Sequence, residues 1–148
     1  MALTSKAVLI LGRFTEERLS VLRVIRERLR SAGLIPILFD FQKPRSKDTT
    51  GVVETVTRLP RFIIVDLTDP SSVPHELATI VPYLRTTPVQ PVLLAGSSAY
   101  SMYHDLEAYR WFLKVYEYAD SRSLIKALPE LTERAEGMAR ELRNERST

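Results

Sequence analysis

The amino-acid sequence predicts a three-layer α/β domain: a five-stranded parallel sheet in the order 2-1-3-4-5 with helices on both faces. Three observations lead there. Short apolar runs of strand length recur at 7–11, 34–39, 62–69, 89–95 and 111–116. Segments of helical spacing separate them, and the resulting βαβαβαβαβα order makes a parallel sheet with helices on both sides. The run at 62–69 opens with Phe62-Ile63-Ile64-Val65, continuous and β-branched, as suits a strand buried on both faces.

The elements follow in order. Residues 7–11 form the first strand, ended by Gly12, and Thr15 is a good N-cap for a helix over 16–32. Leu19, Leu22, Ile25, Leu29 and Ala32 make its inner stripe, with Arg18, Arg23, Arg26 and Arg30 mostly off it, their stems covering apolar surface. Gly33 caps the C-terminus. Pro36 places the second strand at the sheet edge or at a strand start. After a polar loop at 40–48, Thr49 or Thr50 caps a second helix carrying Val52, Val53, Val56 and Leu59 inward, and Pro60 stops it. The third strand leads through turn residues to a helix with Ser72 as N-cap and Pro74 in its first turn. The strand 89–95 follows, then a short helix over 102–109, the strand 111–116, and a last helix from Ser121 or Ser123 to about Arg143. Leu124, Ala127, Leu128, Leu131, Ala135, Met138 and Leu142 line its inner side, and 144–148 are expected to fray.

Composition narrows the function classes. The chain has 148 residues, enough for one domain, with 45% hydrophobic and 26% charged residues, as a globular protein has. It has no cysteine, which excludes disulfides, thiol nucleophiles and cysteine-based zinc sites. No apolar run approaches the roughly 20 residues of a membrane span. Residues 1–6 hold no signal-peptide core, so a cytoplasmic location is the expectation. The net charge is +3, but basic and acidic residues interleave, which reads as a solvated surface; no nucleic-acid partner is expected. No internal repeat or linker is visible.

In open α/β sheets ligands bind beyond the carboxyl ends of the strands, where the strand order reverses. Here that point lies between the first and third strands, which sets the loop Gly12-Arg13-Phe14 beside the segment 66–76. The cleft carries no GxGxxG, P-loop or GxSxG elbow. Phospho-acceptance of the receiver kind needs an acidic cluster after the first strand, where Gly12-Arg13 stands instead. His75 and His104 lack metal-ligand spacing and read as surface or packing residues. What remains is Glu76, near a helix N-terminus. Such a carboxylate can stabilise or attack an oxocarbenium-like centre, as in the opening of N- and O-glycosidic bonds. Alternatively it only complements the helix dipole, worth about 0.3–1 kcal/mol.

The arrangement resembles the Toll/interleukin-receptor (TIR) domain, especially its bacterial members, over nearly the whole chain, and the strand order is flavodoxin-like. Residues 7–12 look like the first TIR strand. The segment 39–48 stands where TIR domains have the assembly loop that also lines the nucleotide site. Residues 62–69, with Ser71-Ser72 and Glu76-Leu77, are similar to the segment whose helix carries the catalytic glutamate of NAD-cleaving members. Residues 88–94 resemble the next strand, and Trp111-Phe112 fall near the aromatic box before the last helix.

The resemblance implies that NAD is a substrate, not a resident cofactor, and that Glu76 stabilises the cation formed as nicotinamide leaves. It also implies self-association or pairing with other TIR-like domains, in bacterial defence or signalling. From loop position, Gly12, Arg13, Phe14, Asp66 and Ser71 would line the nucleotide site, and Phe41 and Lys43 would close over it. The chain departs from the family in lacking the usual proline-glycine pair after Phe41, and in carrying Val73-Pro74-His75 before Glu76. Residues 66–77 also resemble nucleoside deoxyribosyltransferases, which use a glutamate nucleophile on N-glycosidic bonds. Three readings therefore stand: an NAD-cleaving hydrolase or cyclase, a non-catalytic TIR-like interaction module, and a nucleoside- or nucleotide-processing or binding domain.

Overall fold

Strand β1 (Ala7–Gly12) is fully buried from Val8 to Leu11, and β3 (Phe62–Asp66) is buried at every position. Both therefore sit inside the sheet and read as unbroken apolar runs. These strands come from a computed structural model that describes residues 6–12, 15–40, 60–68, 81–97 and 103–147. The remaining described elements are α1 (Glu16–Ser31), β2 (Ile35–Asp40), a 3₁₀ turn (Val81–Tyr83), β4 (Val89–Leu94), α2 (Tyr103–Leu106), β5 (Tyr116–Tyr118) and α3 (Ser121–Ser147). All strand pairs are parallel and the order is β2-β1-β3-β4-β5. The expected fold class is the observed one. The helices expected over 49–59 and 72–80 lie outside the described residues.

Side chains alternate between two cores. Val8, Ile10, Phe62, Ile64 and Val92 face α1 and α3, meeting Leu22, Ile25, Leu29, Leu124, Leu128 and Leu131. Leu9, Leu11, Ile63, Val65 and Leu93 face the opposite way, toward Val81, Leu84, Leu106 and Phe112. Both faces of the sheet are thus covered. On the second face the edge strand β2 leaves Ile35 and Ile37 largely exposed.

Helix α1 begins and ends as its sequence predicts. The Thr15 hydroxyl accepts from Arg18 N at 3.3 Å. At the other end Gly33 takes φ +87°, Gly33 N donates to Arg30 O at 3.0 Å, and Leu34 N donates to Leu29 O at 3.0 Å. That pair of bonds is a Schellman cap, which needs a left-handed residue. The inner stripe differs from expectation at both ends, losing Leu19 and Ala32 and gaining Arg18 and Val21. Arg18, Val21, Leu22, Ile25 and Leu29 are buried, while Leu19 is half-buried and Ala32 exposed.

The last third of the sheet departs furthest from the sequence reading. The expected strand over 111–116 is a single bridge between Val89 and Phe112, and β5 proper begins at Tyr116. Pro91 accounts for the gap: it sits inside β4, between two paired strands, with no N–H to offer β5. The buried Gln90 amide bridges the break, its Nε2 donating to Pro91 O and to Lys114 O, both at 2.9 Å. Helix α2 is four residues long, shorter than expected. Helix α3 runs on to Ser147 instead of fraying from residue 144, and accommodates Pro129 within it.

Candidate functional site

Gly12 and Asp66 end β1 and β3 at the switch point of the sheet. Leu11 pairs with Val65, so these two termini lie side by side at the carboxyl edge. A Cβ on Gly12 would stand 3.1 Å from one methyl of Leu22, 3.2 Å from the other and 3.6 Å from Asp66 Cβ. Glycine here lets the strand end close against both. Of the predicted site residues these two are placed together. Arg13, Phe14, Phe41, Lys43, Ser71 and Glu76 lie outside the described residues.

Asp66 anchors a buried polar network that joins one helix to three strands. Its Oδ1 accepts from Thr68 Oγ1 at 2.5 Å and from Thr68 N at 3.1 Å. Its Oδ2 lies 3.5 Å from Arg18 Nη1 and, in a buried position, has no hydrogen-bond partner among the described residues. Arg18 Nη1 donates instead to Tyr118 OH, at 2.8 Å. Thr68 Oγ1 accepts from Leu94 N at 3.0 Å, and Tyr118 OH stands 3.4 Å from the same oxygen. The proton inventory closes: the threonine hydroxyl gives its one proton to Asp66, and the phenol accepts from Arg18 with its own proton left for Thr68. Arg18 and Asp66 are 8% and 3% exposed, so two opposite charges sit almost out of water.

Burial pushes the Asp66 carboxyl above its ordinary range, against the pull of its bonds to Thr68 and of the Arg18 charge. Burial likewise raises the Tyr118 phenol, and the nearby Asp66 charge adds to it. The network holds the exit of β3 rigidly. Its carboxylate is tied down on one oxygen and paired on the other, and is buried rather than presented as an exposed nucleophile.

Sequence reasoning assigned Asp66 to this edge but missed Arg18, Thr68 and Tyr118. Arg18 is a correction: it was expected off the buried stripe, and it heads that stripe. The spacing 18, 22, 25, 29 is itself helical, and that was the available signal. Thr68, two residues past Asp66 in a turn, is a common side-chain-to-backbone pairing. Tyr118 fell beyond the expected end of the fifth strand.

Sheets of this order bind flavin mononucleotide at the switch point, and helix N-termini are the usual seats of phosphate. The start of α1 does not fit that group. Thr15 already caps it, and Glu16 and Glu17 occupy its first turn. Two carboxylates there oppose a phosphate where the helix dipole would otherwise attract one.

No protein-family model matches the sequence, and no curated protein matches it significantly. Solved structures do. A diflavin flavoprotein A3 from Nostoc sp. aligns over 97% of this chain and 99% of its own, with TM-score 0.69 at 10% identity. A flavodoxin-like domain from Synechococcus sp. aligns over 93% and 99%, with TM-score 0.58 at 14% identity. The RPS4 and RRS1 TIR domain heterodimer aligns over 84% and 97%, with TM-score 0.59 at 13% identity. At such identities the likeness is one of fold, shared between flavodoxin-like and TIR domains. Among the described residues no helix is long and apolar enough to cross a membrane, and no group of three metal-ligating side chains gathers.

Proposed function

We propose that this chain is a TIR-like domain that binds NAD or a related nucleotide at the carboxyl edge of its sheet and opens the nicotinamide N-glycosidic bond, with Glu76 as the acting carboxylate. The observation that carries the reading is the buried Asp66–Thr68–Arg18–Tyr118 network at the switch point. It fixes the end of β3, from which the chain runs on to Glu76. A ligand site needs such a rigid base, because small displacements of a reacting group cost rate steeply.

In the reaction the bond from C1′ of the ribose to the nicotinamide nitrogen breaks, and its electron pair leaves with nicotinamide. The Glu76 carboxylate stabilises the oxocarbenium centre that remains. Water adds at C1′ and releases a proton, giving a linear product, or the adenine of the same molecule adds, giving a cyclic one. Arg13 and Phe14 contact phosphate and base, and Phe41 and Lys43 close over the ligand.

The test is incubation of the concentrated protein with NAD, separating products, with Glu76→Gln and Glu76→Ala alongside. We expect nicotinamide release to fall by roughly 10²- to 10⁴-fold in the variants, the range for loss of an acid–base group. Unchanged release in Glu76→Ala ends the proposal. A second reading, a non-catalytic interaction module, draws on the TIR domain heterodimer among the similar structures. It expects self-association that weakens when Lys43 and Arg45 are reversed in charge, and no turnover. A free base released from a deoxynucleoside, with NAD inert, would instead indicate a nucleoside-processing enzyme.

A further inference from the structure

The opposite edge of the sheet carries a hollow of about 430 Å³, lined by Arg85, Thr86, Arg110, Trp111, Leu142 and Glu145. It lies beside the amino end of β4, where Trp111 O accepts from Val89 N at 2.8 Å. The indole is fixed in place: Trp111 Nε1 donates to Val81 O at 2.7 Å, and the ring packs against Tyr109 with centroids 5.4 Å apart. With the buried Leu142 it gives the hollow an apolar wall.

Charged groups of both signs ring that wall. Arg110 forms an ion pair with Glu145, which holds the Glu145 carboxyl below its usual range, and Glu141 adds its field at Arg110. Arg85, exposed, has no carboxylate partner among the described residues. Among the lining residues, two guanidinium groups face one carboxylate, with Glu141 outside the lining, and Arg85 is the guanidinium left for an anion. Arg85 also takes φ +30°, a left-handed backbone that a plain turn would give to glycine or asparagine. A long basic side chain held at such a position is the kind of local strain that marks ligand sites.

The geometry points to a second small-ligand site here, one that takes an anionic group carried on a flat apolar body, the body against Trp111 and Leu142 and the anion on Arg85 and Arg110. Aryl carboxylates and nucleoside monophosphates share this chemistry. The site does not depend on the nucleotide reading of the carboxyl edge.

Trp111 is the one tryptophan of the chain, so its fluorescence reports occupancy directly. The experiment titrates the intact protein with benzoate, with adenosine monophosphate and with inorganic phosphate. We expect a saturable fluorescence change with benzoate or with the monophosphate, whichever is the better source of the anion, and at least tenfold weaker binding of inorganic phosphate, which has no flat body. Arg85→Gln is expected to weaken binding about tenfold or more, as for loss of a charge-assisted hydrogen bond. Arg85→Gly relieves the backbone strain, so it should fold at least as well as wild type and still lose binding. Glu76→Gln should bind as wild type does, which separates this site from the carboxyl edge. Absence of a saturable change with both organic anions overturns the proposal, as does wild-type affinity in both Arg85 variants.

Discussion

Replacing Arg18 by methionine tests whether the network at the switch point is under electrostatic tension. Methionine keeps the unbranched stem, but removes the charge that faces Asp66 Oδ2 and the donor to Tyr118 OH. Both members of the pair are more than nine-tenths buried, so solvent does little to soften the loss. Breaking a buried pair by deleting one partner costs about 3–5 kcal/mol. A domain holds only about 5–15 kcal/mol in total.

The effect must also depend on pH, with a sign that follows from the raised Asp66 carboxyl. Because its folded value lies above the ordinary 3.8, its favourable contribution is complete below 3.8 and is lost as pH rises through the folded value. Arg18 is one of the influences that hold that value down. Without it the folded value climbs further and the loss extends toward neutral pH, at about 1.4 kcal/mol for each unit. Urea unfolding at about pH 5 and about pH 7.5 should therefore show the variant closer to wild type in acid. Adding Asp66→Asn should recover much of the loss at neutral pH, since no buried charge is then left alone. A cost under about 1 kcal/mol at neutral pH, or one equal at both pH values, would refute the account of a paired, buried carboxylate.

Three other substitutions probe neighbouring features. Tyr118→Phe leaves the Arg18 donor without its 2.8 Å acceptor and should lower the urea-derived stability by about 1–2 kcal/mol. Gly12→Ala drives a methyl to 3.1 and 3.2 Å from the fully buried Leu22, and should cost about 1–3 kcal/mol, read as a drop in Tm. Gln90→Leu keeps the bulk but deprives Pro91 O and Lys114 O of their donor; we expect about 1–3 kcal/mol lost and faster amide exchange around β5.

Much of the scaffold was legible locally. The apolar runs located β1 to β4, Thr15 and Gly33 marked the ends of α1, and the spacing of Leu124, Leu128, Leu131 and Ala135 gave the inner face of α3. Strand alternation and the switch point then placed Gly12 and Asp66 at one edge. The fifth strand was misplaced because Pro91 interrupts pairing from the neighbouring strand, a constraint absent from residues 111–118 themselves.

The sequence alone determined the order of the strands and the edge at which Gly12 and Asp66 meet, because periodicity, caps and turns are written within a few residues of where they act. The tertiary structure alone decided that Arg18 turns inward, that Tyr118 accepts its hydrogen bond, and that Asp66 is held by Thr68 beside them. Arg18 and Tyr118 are separated by 100 positions in the chain. The state of a buried charge depends on what surrounds it in space, and nothing in the flanking residues of either one specifies the other.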